Sequence, residues 1–293
     1  MKSGTVSVIG RPSAGKSTLV NTITGMKVSI TSPTPQTTRN KIRGIYTDQR
    51  GQLIFTDTPG YHLSGKEINR RMQEVTLSSL TESDAILYLV DGTRHPGTEE
   101  EAVASLIKKA GVPVVAVVNK NDILTENNRE DAGFFLRENF PSSPVLFASA
   151  SRDEGVDEIL IELFKVVPEG ELLYDENTYT DQDLSFRISE IIREKTISSL
   201  SDELPHVIYV EIEDMEYSEE TQEVWVRAVI NTERDGQKGI IVGRGGENIK
   251  RIRKESFKEI KRIFPGSKLT LDLRVKSDPK WRSSEKVLGR LFK

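Results

Sequence analysis

Residues 10–17 of this chain read Gly-Arg-Pro-Ser-Ala-Gly-Lys-Ser. Gly10 and Gly15 let the backbone fold closely enough for successive amides to point at an anion. Lys16 is a compact positive charge suited to the β- and γ-phosphates of a nucleotide, and the Ser17 hydroxyl is suited to Mg²⁺. Arg11, Pro12, Ser13 and Ala14 complete the cradle, and Thr18 continues it into the following helix-like stretch. An eight-residue pattern alone can arise by chance, but its position between strand-like and helix-like segments makes a phosphate cradle the expected structure.

Four further segments extend this chemistry in chain order. Asp57-Thr58-Pro59-Gly60 ends a strand-like run; its aspartate is placed to hold Mg²⁺ through a water, and the Gly60 amide is free to sense a γ-phosphate. Asn119-Lys120-Asn121-Asp122 names the base. A carboxylate at Asp122 accepts two hydrogen bonds from guanine, whereas adenine would leave it unpaired. Asn119 and Lys120 would brace this loop and cover the base. Ser149-Ala150-Ser151 puts the Ala150 amide within reach of guanine O6. Between cradle and aspartate lies Pro35-Gln36-Thr37-Thr38-Arg39, an aperiodic segment in which a threonine completes the Mg²⁺ shell only when the γ-phosphate is present. Spacing does not choose between Thr37 and Thr38.

Elements must position these residues. Short β-branched runs at 5–9, 42–46, 53–56, 86–90, 114–118 and 145–147 alternate with helical patterns at 16–24, 67–80, 99–110, 129–139 and 156–167. Such alternation predicts a mostly parallel six-stranded sheet with helices on both faces. In such sheets ligands bind beyond the carboxyl ends of the strands, where every motif above falls. A break at Pro168-Glu169-Gly170 and an acidic polar stretch predict a first domain over 1–172 and a linker over 173–182.

Residues 183–293 have a different rhythm. A helix over 183–200 precedes strands at 207–215 and 223–231, a Gly-rich turn, a basic helix over 247–264 and a strand at 269–275. The turn carries Gly243-Arg244-Gly245-Gly246 between an apolar segment and the basic helix. This matches the KH module, whose GxxG loop clamps about four single-stranded nucleotides. Lys250, Arg251, Arg253 and Lys254 add charge beside it. Ile249, Ile252, Phe257, Ile260 and Ile263 are expected in the core of that helix's domain. Trp281 either stacks on a base or packs the C-terminal segment.

The overall charge of −4 hides an asymmetry: residues 227–293 hold about 19 basic and 8 acidic residues, leaving the remainder strongly acidic. A basic end is either a footprint for a polyanion or a solvated charged face. The chain has no cysteine, which excludes disulfides and thiolate metal sites. The longest apolar runs, 85–90 and 112–118, are about a third of a membrane span, and the first residues run directly into a strand without a leader pattern. A soluble or at most peripheral protein is expected.

The motif set resembles translation-factor-type GTPases, which implies Thr38 as the metal ligand beside Ser17 and Asp57. Over nearly its whole length the chain resembles the Era family of bacterial GTPases, on G-R-P-x-x-G-K-S-T-L-x-N at 10–21, S-I-T-S at 29–32, Q-T-T-R at 36–39, D-T-P-G at 57–60, N-K-N-D at 119–122 and W-R at 281–282. The resemblance implies an α/β P-loop GTPase domain followed by an α+β type II KH domain. It implies GTP and GDP as ligands with Mg²⁺, binding near the 3′ end of 16S rRNA, a role in small ribosomal subunit assembly, and a cytoplasmic monomer with peripheral contact at the inner membrane. Two positions depart from related GTPases. Tyr61 and His62 follow Gly60 where Ras-type proteins have a water-orienting glutamine, and His62 is either a base or a surface residue. Ser13 and Ala14 replace the Asn-Val of GTPases that use K⁺. Slow intrinsic turnover with little K⁺ activation is therefore expected. Two other readings remain: a switch whose basic domain binds protein or anionic membrane, and a nucleotide-binding scaffold with negligible hydrolysis.

Overall fold

The computed structural model describes residues 1–32, 37–61, 67–200 and 208–291. Its contacts divide into two compact units that change over between Asp181 and Gln182.

The first unit is built on a six-stranded sheet in the order β2-β3-β1-β4-β5-β6. Its strands are β1 (Lys2–Ile9), β2 (Ile42–Asp48), β3 (Gly51–Asp57), β4 (Ala85–Asp91), β5 (Val114–Asn119) and β6 (Val145–Phe147). Only the β2–β3 pairing is antiparallel. The helices are α1 (Lys16–Thr24), α2 (Glu67–Thr81), α3 (Thr98–Ala110), α4 (Glu126–Asn139) and α5 (Val156–Val166). All seven residues of β4 are buried, as the unbroken apolar run of a central parallel strand requires. Alternation then sorts its side chains. Ala85, Leu87 and Leu89 join Leu19, Ile159 and Leu163 in one core, while Ile86, Tyr88 and Val90 join Val103, Ile107 and Leu136 in the other. The sheet thus carries a helix layer on each face and sends the loops that follow β1, β3, β5 and β6 out at one end.

The polar stretch after Gly170 is tied to this sheet. Gln52, fully buried on β3, accepts from the backbone N–H groups of Leu173 and Tyr174 at 2.9 and 3.0 Å and donates to the Tyr174 carbonyl at 2.9 Å. The Ile45 N–H donates to the Tyr179 carbonyl at 2.9 Å, Thr180 Oγ1 donates to the Arg43 carbonyl, and Arg43 pairs with Asp181 at 2.9 Å. Residues 173–181 therefore run as a strap along β2 and β3. Composition reads this stretch as a linker because its polar side chains hide backbone pairing with a partner far away in sequence.

The second unit contains α6 (Leu184–Ser198), β7 (Ile208–Ser218), β8 (Glu223–Thr232), α7 (Asp235–Val242), α8 (Glu247–Ile263), β9 (Lys268–Ser277) and α9 (Glu285–Leu291). The order α-β-β-α-α-β is the type II KH arrangement, with β7–β8 antiparallel and β8–β9 parallel. Asp183 caps α6 by accepting from the Ser185 and Phe186 amides. Helix α7 leaves little trace in the sequence because Gly236 and Gly239 depress its helix propensity. Burial of Ile241 and a bond from the Arg234 amide to Gln237 Oε1 hold it. Phe257 corrects the expected core. The buried stripe of α8 is Ile252, Ser256 and Ile260, and Phe257 lies off it, 37% exposed. Trp281 is fully buried against Tyr209, so it packs the C-terminal segment and is not open to a base. Among the described residues no helix is long and apolar enough to cross a membrane.

Replacing Gln52 with Met keeps side-chain volume but leaves three backbone groups of the strap without their partner. Each unsatisfied buried group costs ~1–3 kcal/mol. We expect Gln52→Met to destabilise the first unit by about 2–4 kcal/mol and to open residues 173–181 to proteolysis. Urea unfolding and limited digestion check this; an unchanged midpoint with an uncut strap contradicts it.

Candidate guanine-nucleotide site and GxxG loop

The carboxyl ends of β1, β3, β5 and β6 bring the sequence motifs to one edge of the sheet. The loop after β1 ends at Gly15, whose φ of +97° caps α1. A Cβ on Gly15 would sit 2.3 Å from Asn119 Nδ2, so only glycine lets the Asn119 side chain through. Asn119 uses that passage to donate to the Ala14 carbonyl at 2.8 Å and to accept from the Ala150 amide at 3.0 Å. One buried amide thus joins the cradle, the base-naming loop and the loop after β6. The Ala150 N–H, expected to face guanine O6, is donated to Asn119 here.

Lys16 is buried and donates to the Gly10 and Arg11 carbonyls at 3.1 and 2.9 Å. Burial pulls its ammonium down to about 8, against the opposing pull of Asp57 and Glu100. Ser17 Oγ lies 3.0 Å from Thr38 Oγ1, which in turn reaches Asp57 Oδ2 at 3.4 Å. Of the two threonines, Thr38 is the one drawn to Ser17 and Asp57. Burial pushes the Asp57 carboxyl above its usual range, and its Oδ1 has no hydrogen-bonding partner among the described residues. Two hydroxyls and a desolvated carboxylate, one of whose oxygens is orphaned, form a donor set of hard ligands that fits Mg²⁺. Thr58 is anchored by its hydroxyl to the Val8 carbonyl, and the Pro59 carbonyl accepts from Thr76. Gly60 lies against the cradle: a Cβ there would stand 2.6 Å from the Pro12 nitrogen. The Tyr61 amide completes that contact at 3.4 Å from the Gly10 carbonyl. Arg39 is buried, and Ser13 holds φ at +66°, a left-handed conformation. Gln36 and His62 lie outside the described residues.

The base-naming loop begins at Lys120, itself left-handed at φ +66°. Ser149 Oγ donates to Asp122 Oδ1 at 2.7 Å, and this bond holds the Asp122 carboxyl below its usual range, leaving it ionised and able to accept hydrogen bonds. Residues outside the motifs support them. Asp91, at the end of β4, accepts from Lys120 Nζ at 2.7 Å and from Thr93. Glu99 and Glu100 at the start of α3 face Arg11 at 2.6 and 3.6 Å, and Tyr88 donates to Glu100 at 2.6 Å. Asn21 holds the backbone at Val28 and Ser29. Position at the carboxyl end of a parallel strand was the available signal for Asp91. Nothing in the sequence singles out Glu100, since glutamates in a first helical turn read as partners of the helix dipole.

In the second unit Gly243, Gly245 and Gly246 have φ of +73°, +57° and +76°, so the loop turns through conformations that side chains resist. Gly246 leads into α8 without a side-chain cap, leaving first-turn amides available to an anion. Arg244 and Lys250 are exposed. Arg251 is engaged internally, donating to Asn248 Oδ1 at 2.9 Å, while Asn248 donates to the Ile240 and Ile241 carbonyls that end α7. Arg251 therefore stiffens the loop from behind.

Residues 5–120 match a family model described as a 50S ribosome-binding GTPase, and residues 203–282 match one described as a KH domain. With the geometry above, the chain is a P-loop GTPase that carries a KH domain. It is 44% identical to GTPase Era of Treponema denticola over 295 residues, covering 99% of each, and 43% identical to GTPase Era of Borrelia hermsii over 292 residues, covering 100% of each. A structure of Aquifex aeolicus Era bound to GDP·AlF₄⁻ matches with 33% identity and a TM-score of 0.93, covering 100% of this chain and 99% of that one. A structure of Era with MgGDPNP and nucleotides 1506–1542 of 16S rRNA matches with 33% identity and a TM-score of 0.94, covering 100% and 98%. The chain belongs to the GTPase Era family.

Asp91→Asn removes the carboxylate that orients Lys120. We expect GTP and GDP affinities to fall together by about tenfold, ~1.4 kcal/mol, because the base is common to both. Titration with fluorescent nucleotides checks this, with Asp91→Glu regaining part of the loss. A change confined to GTP rules the assignment out.

Proposed function

We propose that this GTPase is a slow nucleotide-dependent switch whose KH domain holds the 3′ end of 16S rRNA during assembly of the small ribosomal subunit. The observation that carries the nucleotide half is the Asn119 bridge, which joins three loops into one pocket edge. The rRNA half rests on the GxxG geometry together with the 16S fragment in the solved Era complex. A working form that is monomeric and cytoplasmic, with peripheral contact at the inner membrane, belongs to the same reading.

In this reading the amides of residues 11–17 and the Lys16 ammonium receive the β- and γ-phosphates. Ser17 and Thr38 would hold Mg²⁺ directly and Asp57 through a water; the ion would neutralise charge on the β- and γ-phosphate oxygens. Asp122 accepts from guanine, with Lys120 against the base. Water attacks the γ-phosphorus, the bond to the bridging oxygen breaks, and GDP and phosphate leave. Gly60, packed against Pro12 of the cradle, would register that loss through its amide. Residue 61 is a tyrosine, and a phenol does not orient water as an amide does. Residue 13 is a serine, one atom shorter than asparagine and without its carbonyl.

Steady-state hydrolysis is expected to be slow and to rise less than tenfold on replacing Na⁺ with K⁺. Lys16→Ala preparations serve as the blank for contaminating activity. Ser13→Asn, which tolerates the left-handed backbone, should gain K⁺ response. A wild-type rise above about tenfold would mean another ligand does the work of the amide.

Gly245 has open space around it, so Gly245→Asp opposes phosphate by charge and strains φ without crowding a neighbour. RNA binding is expected to be lost while GTP affinity stays. Filter binding with the 16S fragment is the check, and unaltered RNA affinity removes the GxxG loop from the site.

A further inference from the structure

Ser29 is buried, 1% exposed, and its hydroxyl has no hydrogen-bonding partner among the described residues. An unpaired hydroxyl in a protein interior costs stability, and an alanine would occupy the place without that cost. The backbone around it is fixed. Asn21 Oδ1 accepts from the Val28 and Ser29 amides at 2.9 and 2.8 Å, and Asn21 Nδ2 donates to the Ser29 carbonyl at 2.8 Å. Asn21 stands four residues after Ser17 in α1, so the two share a helix face. Asn21 thus ties Ser29 to the face of α1 that carries Ser17.

Three hydroxyls gather at Asp57. Burial raises its carboxyl, and against that work the Lys16 charge and the side chains of Ser17, Ser29 and Thr38. Thr38 reaches Oδ2 at 3.4 Å. Oδ1 completes no hydrogen bond among the described residues, and neither does Ser29 Oγ. Two neighbouring oxygens, both buried and both unpaired, suit a group that donates to each of them. Magnesium dehydrates reluctantly and keeps waters of its own, and a water on the ion has two protons to give. We propose that the Ser29 hydroxyl is a further protein group of the magnesium site, accepting together with Asp57 Oδ1 the two protons of a water on the ion. This rests on Ser17, Thr38 and Asp57 holding Mg²⁺, as proposed above. Thr38 belongs to a segment that closes only on a γ-phosphate, whereas Ser29 is tied to α1, which begins at the cradle. Ser29 therefore serves the GDP and GTP complexes alike.

The test measures the Mg²⁺ affinity of the full-length protein loaded with fluorescent GDP or fluorescent GDPNP. Beside it stands the urea midpoint of the protein free of metal and nucleotide. Ser29→Ala removes the hydroxyl, and Ser29→Cys keeps the volume but offers only a weak acceptor. Both variants are expected to bind Mg²⁺ about tenfold more weakly in the GDP and the GDPNP complexes, as the loss of one hydrogen bond at a charged centre predicts. The metal-free midpoint should be unchanged or higher, because the hydroxyl gives up no bond there. Mg²⁺ affinity unchanged in both variants overturns the proposal. A lower metal-free midpoint in both also overturns it, since the hydroxyl would then be a structural donor to Asp57. A loss confined to GDPNP overturns it as well, by assigning Ser29 to the γ-phosphate switch. Ser17→Ala is the control: if it binds Mg²⁺ as the wild type does, the magnesium reading itself fails, whatever Ser29 does.

Discussion

The nucleotide domain depends on one buried side chain. Asn119 donates to the loop after β1 and accepts from the loop after β6, while its own backbone ends β5. The loops after β5 and β6 are also joined by Ser149 Oγ to Asp122 and by the Asn121 amide to the Ala148 carbonyl; Asn119 adds the loop after β1 to that pair. The sheet makes the bridge geometrically available by ending its parallel strands at one edge. Gly15 makes it sterically available by carrying no side chain. The cost of leaving a buried amide unpaired fixes the arrangement from both sides, because neither partner can move away without stranding a polar group.

Electrostatics then grade the site by desolvation. Lys16 and Asp57 are both buried, and each is displaced toward its neutral form by the same absence of water. Phosphate and a divalent cation would supply the missing opposite charges, one to each. The pocket therefore gathers unlike charges at positions that a magnesium-bound polyphosphate completes. Asp122 differs: a hydroxyl donor favours its ionised form, so its carboxylate stands ready to accept hydrogen bonds.

Most of this site was legible in the sequence because its residues lie in short contiguous motifs, each following a strand that the apolar runs reveal. The two-faced burial of β4 follows directly from its unbroken run, and α1 and β6 stand at the limits their patterns indicate. What could not be read depends on distant neighbours. Glu100 and Gln52 look like ordinary polar residues until the fold brings Arg11 and the strap to them. Helix α7 was hidden by two glycines whose cost is offset by burial of Ile241. Phe257 departs for the opposite reason: its apolar character points to the core, but one step of helical phase carries it to solvent.

The strap over residues 173–181 has a consequence beyond stability. β2 is the outermost strand of its sheet, and an open strand edge invites pairing with the same edge of another molecule. The Tyr179 carbonyl occupies the Ile45 amide, Thr180 takes the Arg43 carbonyl, and a charged pair closes the end. At the other margin β6 is only three residues long, too short to template much. The strap is thus a guard against aggregation, drawn from the same peptide that leads to the RNA-binding unit.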